Sequence, residues 1–137
     1  MIAARGRSLA SMSVAVDLAG LTERIAEFGP AAFLVSVGDD GPHVVSVRVA
    51  TGETALLMTA GRSTRANVAA RPAVTLLWPA LPGGAYSLLV DGTARVLPGD
   101  DGTVAVEPAS GVLHRVADAA GSGPTCLPVT EPAPPAG

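Results

Sequence analysis

The sequence predicts a mainly-β domain, an antiparallel barrel, closed or split, with a helix before its first strand and one short helix inserted between strands. Three observations carry that prediction. A helical apolar stripe near the N-terminus is followed by strand-length apolar runs separated by Gly, Pro and Asp. The stretch Gly61–Arg71 interrupts the series with polar, helix-capping residues. Beyond Asp118 the Gly, Pro and Ala content is too high for packed structure.

Taken in order, Leu18, Leu21, Ile25 and Phe28 recur at spacings of three, four and three, which places them on one helical face. Asp17 is the expected N-cap and Gly29-Pro30 the stop, giving a helix from Asp17 to Phe28. Ala31–Val37 and Pro42–Ala50 read as strands joined by the turn Gly38-Asp39-Asp40-Gly41. Thr51-Gly52-Glu53 leads into a strand Thr54–Thr59, and a three-strand meander is the simplest pairing. Ser63 or Thr64 caps a short helix with Val68 inward, ended by Arg71-Pro72. Ala73–Trp78 is a strand, Pro79–Gly84 a loop, and Ala85–Leu97 a long strand bulged at Asp91-Gly92. Thr103–Glu107 and Val112–Val116 complete the set. Residues 1–12 are expected to be a flexible extension (Met12 is an alternative start), residues 13–118 the domain, and 119–137 a loose tail.

The 137 residues make one domain, 48% of them hydrophobic. Even so, no apolar run is long enough to cross a bilayer, and the first residues lack the apolar core of a signal peptide. A cytoplasmic location without membrane contact is expected, and the single Cys126 fits a reducing compartment. With a net charge of −3 and scattered acids, there is no basic face for nucleic acid. His43, His114 and Cys126 lie too far apart in sequence for a metal-site spacing. All nine basic residues are arginine; lysine and glutamine are absent, and Asn67 is the single asparagine. This composition bias means that Arg carries less information than usual, and Asn67 more.

Thr59-Ala60-Gly61-Arg62-Ser63-Thr64-Arg65-Ala66-Asn67 holds the densest chemistry in the chain. It offers a glycine for close approach, hydroxyls, two guanidinium groups and an amide at a helix start. Helix N-termini present unpaired N–H groups and arginine matches phosphate oxygens, so a phosphate site is one reading. The other is a solvated turn with ordinary capping by Ser63 or Thr64. Residue types alone favour the second.

Order and context favour the first. The run His43-Val44-Val45-Ser46-Val47-Arg48, Leu57-Met58-Thr59, Ser63-Thr64-Arg65, Arg71-Pro72-Ala73-Val74, Leu77-Trp78-Pro79 and Val90-Asp91-Gly92-Thr93-Ala94 resembles the pyridoxamine 5′-phosphate oxidase-like superfamily, in particular its short actinobacterial members. The resemblance spans about Ala31 to Val96. It implies a six-stranded antiparallel split β-barrel of Greek-key type, with an N-terminal helix and one short inserted helix. It implies a homodimer binding FMN, or the deazaflavin coenzyme F-420, at the subunit interface, and an oxidoreductase acting on a small molecule. Carried over by position, Arg48 reaches the phosphate, Val45 and Ser46 run along the flavin edge, and Met58 and Thr59 lie beside the ribityl chain. Ser63, Thr64 and Arg65 fall in the phosphate turn, Asn67 on the helix after it, and Ser87 near the ring.

The departures from the family shape the expectation. Thr64 stands where many members have lysine, which leaves the phosphate charge to Arg48 with Arg65 or Arg62. Ser87 is shorter than the glutamine often found there. Leu97–Thr103 has no room for the helix of larger members, and their C-terminal substrate-binding part is missing, which argues against pyridoxamine-phosphate oxidase activity itself. These departures motivate an alternative: a non-enzymatic flavin-binding or sensing module, or a barrel without cofactor.

Other residues have plainer readings. His43 opens a strand, where an exposed histidine is common; the matching family position also touches cofactor. Trp78 suits core or interface packing, and Tyr86 a ring contact or the same interface. Cys126 has no base beside it in sequence, and His114 on a last strand reads as structural. Asp39-Asp40 and Asp100-Asp101 are explained by turn chemistry.

Overall fold

The computed structural model describes residues 13–99 and 101–115. The expected extension, the tail with Cys126, the strand end at Val116 and the turn residue Asp100 lie outside the described residues.

The chain begins with β1 (Ser13–Val16), a 3-10 turn (Leu18–Gly20) and α1 (Leu21–Phe28). Asp17 caps this segment as its sequence suggests, with Oδ1 accepting the Ala19 N–H at 3.1 Å. The expected single helix is split because Gly20, at φ −98° and ψ 6°, leaves α geometry before α1 starts. Leu21 and Ile25 are buried, and Gly29 at φ 94° ends the helix with its N–H on the Ile25 carbonyl.

β2 (Ala31–Gly38) and β3 (Gly41–Arg48) form a hairpin in register from Ala31↔Arg48 to Gly38↔Gly41, with Asp39-Asp40 as its two-residue turn. There follow β4 (Ala50–Thr51), β5 (Leu56–Thr59), α2 (Arg62–Ala70), β6 (Ala73–Trp78), β7 (Tyr86–Val96) and β8 (Thr103–Arg115). The antiparallel strand order is β3-β2-β6-β7-β8-β5-β4, with β1 added against β8. β3 and β4 stand at opposite ends of that order, yet only Val49 separates them in sequence. The sheet therefore curls back on itself, which is the geometry of a split barrel.

Two expectations need correction. The meander does not form: β5 pairs with β8, from Leu56↔Val106 to Thr59↔Thr103. The chain turns at the buried Val49, whose N–H bonds the Pro30 carbonyl at 2.8 Å, and only Ala50 and Thr51 remain to pair with β5. The described sheet also has eight strands rather than six. β1 and the two-residue β4 are additional, while Thr103–Glu107 and the residues from Val112 belong to one strand. Pro108 and Gly111 resemble a break in sequence, but β8 runs through them by a bulge: Asp91 faces Ser110 and Gly92 faces Pro108, leaving Ala109 extra. The bulge falls at the Asp91-Gly92 position read from sequence.

Leu34, Leu76, Trp78, Leu88, Val90, Val104 and Val106 form the fully buried centre of the barrel. Trp78 belongs to this core, and its indole Nε1 donates to the Gly29 carbonyl at 2.9 Å, so its one polar group is satisfied. α2 lays Thr64 and the expected Val68 against the core. Among the described residues no helix is long and apolar enough to cross a membrane.

Candidate functional site

Ser46 and Arg48 are two apart on β3, so they share a face, and both are exposed while Val47 between them is buried. On β5 the same alternation buries Met58 and exposes Thr59. The barrel's curl brings these strand ends together: Ala31, Ser46, Val47, Arg48 and Thr59 line one open groove of about 390 Å³. One guanidinium and two hydroxyls face it, and no carboxylate does.

Ala60 and Gly61 carry the chain from Thr59 into α2. Gly61, the N-cap, contributes no side-chain hydrogen bond to the helix N-terminus. Arg62 and Ser63 are exposed on the first turn. An uncapped helix start beside free guanidinium and hydroxyl groups suits an anion, because its first N–H groups have no intrahelical acceptor. Ser46, Arg48 and Thr59 thus share the groove, and Arg62 and Ser63 follow within a few residues of its Thr59 end.

The remaining residues singled out from sequence lie elsewhere. Thr64 is 1% exposed, with its side chain against the core. Arg65 is half-buried; its Nη1 donates to the Ala60 carbonyl and packs against Gly102 in the β7–β8 turn. Asn67 donates from Nδ2 to Ser36 Oγ at 3.2 Å on the neighbouring β2. Met58 is buried at 3% exposure, Val45 is half-buried against the core, and Ser87 sits half-buried on β7, three strands from β3 in the sheet order. His43 is half-buried opposite Ser36, Tyr86 is half-buried, and His114 is exposed on β8. Asp39, in the hairpin turn, accepts from Arg71 Nη2 at 3.0 Å. Among the described residues no three His, Cys, Asp or Glu side chains are grouped to hold a metal ion.

Sequence reading missed one surface. On the outer face of the sheet, Ser46, Phe33, Leu77, Leu89 and Val112 form a cross-strand row from β3 to β8. The adjacent row is Val44, Val35, Thr75, Asp91 and Ser110. Val44, Val37 and Phe33 remain 57%, 41% and 36% exposed, a continuous apolar area on one side of β2 and β3. A signal was available: Ala31–Val37 is apolar at nearly every position instead of alternating, the mark of a strand covered on both faces.

Solved structures share this architecture. An FAD-binding protein of Mesorhizobium loti matches with a TM-score of 0.57 at 16% identity, over 74% of this chain and 96% of that one. The FAD-binding protein of Mycobacterium smegmatis matches with a TM-score of 0.56 at 14% identity, over 75% and 99%. A Clostridium acetobutylicum protein of the pyridoxinephosphate oxidase family matches with a TM-score of 0.50 at 11% identity, over 74% and 87%. The fold is the split barrel shared with these proteins.

No protein-family model matches the sequence. Within that fold class, the uncharacterized protein Mb0449c of Mycobacterium bovis is 38% identical over 129 residues, covering 80% of this chain and 86% of the relative. The uncharacterized protein MT0457 of Mycobacterium tuberculosis matches to the same extent. The chain belongs to the family of these mycobacterial proteins.

Proposed function

We propose that this protein binds a phosphate-bearing flavin, FMN first and the deazaflavin coenzyme F-420 second, and serves as an oxidoreductase for a small molecule. The observation that carries the reading is the groove in which Arg48, Ser46 and Thr59 converge, close in sequence to the uncapped start of α2 with Arg62 and Ser63. Its donor set fits a phosphate: positive and hydroxyl groups with no lining carboxylate. The solved relatives described as FAD-binding share the barrel that builds such a groove.

In this reading Arg48 and Arg62 neutralise the phosphate, and Ser46, Thr59 and Ser63 donate to its oxygens or to the adjoining polyol. Arg65 is given a bracing part in this reading, with Nη1 on the Ala60 carbonyl. A bound flavin would itself supply the electron-transfer chemistry, so the chain's task is to hold and orient it. The apolar outer face, contiguous with Ser46 through Phe33, supports a homodimer in which a second copy covers the flavin.

Titration with FMN and with coenzyme F-420, followed by the visible spectrum of the purified protein, tests the reading; no binding to either rejects it. Arg48→Ala is expected to weaken FMN binding by about 1.5–3 kcal/mol, the worth of a hydrogen bond to a charged group. An unchanged affinity would remove Arg48 from the site. A second reading, a binding or sensing module without turnover, draws on the sparse grip left once Thr64 and Arg65 are turned to structural contacts. Tight FMN binding without turnover by nicotinamide donors selects it.

A further inference from the structure

We propose that Asn67 is a positioning residue: through Ser36 and Gly38 it fixes the start of α2 against the β2–β3 hairpin, and so sets the gap across which a phosphate is held. This rests on the phosphate reading of Arg48, Arg62 and Ser63.

The sequence itself singles Asn67 out, as the one asparagine in a chain without glutamine or lysine. Its amide has a fitted seat. Nδ2 donates to Ser36 Oγ at 3.2 Å, and Ser36 is fully buried on the inner face of β2. On the other side, a Cβ on Gly38 would stand 2.9 Å from Asn67 Oδ1, so the amide fits only because position 38 has no side chain. Ser36 and Thr64 are the two buried polar residues among the described core, one on β2 and one on α2. Without Asn67, the Ser36 hydroxyl would lose this partner in a dry setting.

The other tie between α2 and the hairpin is weaker. Arg71 reaches Asp39 at 3.0 Å, but the two side chains are 45% and 91% exposed, and solvent screens such a pair. Asn67 is therefore the stronger polar tie between the helix and the hairpin, added to the core packing of Thr64 and Val68. The hairpin it grips carries Ser46 and Arg48 on its second strand, and α2 carries Ser63 one turn before Asn67. A phosphate held from both walls requires both at hydrogen-bond distance at once, and displacements of an ångström forfeit that.

The test compares FMN with riboflavin, which lacks the phosphate, by fluorescence titration of the wild-type protein and of Asn67→Ala, Ser36→Ala and the double variant. Each single change is expected to weaken FMN binding roughly three- to tenfold while riboflavin affinity stays within about twofold, and the double variant to be no worse than the weaker single. Gly38→Ala keeps both polar partners and displaces the amide; it should give the same selective loss even if Asn67→Ala fails to fold. Parallel loss of FMN and riboflavin would mean that Asn67 only stabilises the fold. A harmful Asn67→Ala beside a neutral Ser36→Ala would mean that Asn67 touches the ligand directly, and unchanged FMN binding in all variants would leave it no role. Each of those results overturns the proposal. Wild-type protein that binds FMN no better than riboflavin removes the phosphate site itself, and the positioning role with it; that failure is seen before any variant is compared.

Discussion

Gly92 shows how one residue shapes the longest strands of the barrel. A Cβ at this position would lie 2.5 Å from the Glu107 carbonyl oxygen and 2.9 Å from Val106 Cγ1, with backbone on the nearer side. The bulge at Ala109 falls opposite this same position, where a glycine lets β8 approach closely. Gly92→Ala is expected to cost about 2–3 kcal/mol of folding stability, as overpacking against backbone does. Urea unfolding measures it, and a cost below about 1 kcal/mol would show that β8 can relax away. Gly102 is constrained differently. Its φ of 73° disfavours a side chain, and a Cβ would stand 2.9 Å from Arg65 Nη1. Gly102 explains why Arg65, an attractive phosphate ligand in sequence, acts as a brace in the structure: the turn there leaves room for its guanidinium beside the Ala60 carbonyl.

At the scale of elements, α2 divides its residues by helical face. Thr64 and Val68, four apart, go to the core; Asn67 and Arg71, also four apart, go to the β2–β3 hairpin. Arg62 and Ser63 are left at the open start. Because the Arg71–Asp39 pair is so exposed, Arg71→Ala is expected to shift stability by less than about 0.5 kcal/mol, whereas Val68→Ala, at 1% exposure, should cost about 1–3 kcal/mol. Thermal or urea unfolding of the two variants would rank them, and the reverse ranking would contradict this division of faces. Local signals made most elements legible. The Asp17 cap, the Asp-Asp turn, the strand runs and the Asp91-Gly92 bulge are each written in a few adjacent residues. What stayed hidden depends on partners distant in sequence. Nothing near Leu56 says that it pairs with Val106 rather than with β3, and nothing near Pro108 says that a bulge carries β8 past it. The site shows the same limit: residue types around Gly61–Arg71 allow an anion site or an ordinary capped turn, and which of them face outward follows only from how α2 sits on β2.

The whole molecule raises the question of what covers its outer sheet face. Phe33, Val35, Val37 and Val44 lie together there, flanked by Leu77 and Leu89, and single chains rarely leave so continuous an apolar area in water. A second copy related by a two-fold axis would meet the same residues with its own face, the usual way such an area is buried. Val44→Asp is the sharpest probe, because Val44 is 57% exposed in the single chain and its replacement leaves the barrel core untouched. A charge placed there must be desolvated on association, so the variant is expected to be monomeric at about 13.5 kDa by light scattering while keeping its fold by circular dichroism. If the cofactor site is shared between copies, FMN affinity should fall with the dimer, and the wild-type protein should bind FMN more tightly as its own concentration rises through the dimerisation constant. Wild-type protein that binds FMN while monomeric at all concentrations, or a Val44→Asp monomer with unchanged FMN binding, would place the flavin within one barrel and leave the apolar face to another partner.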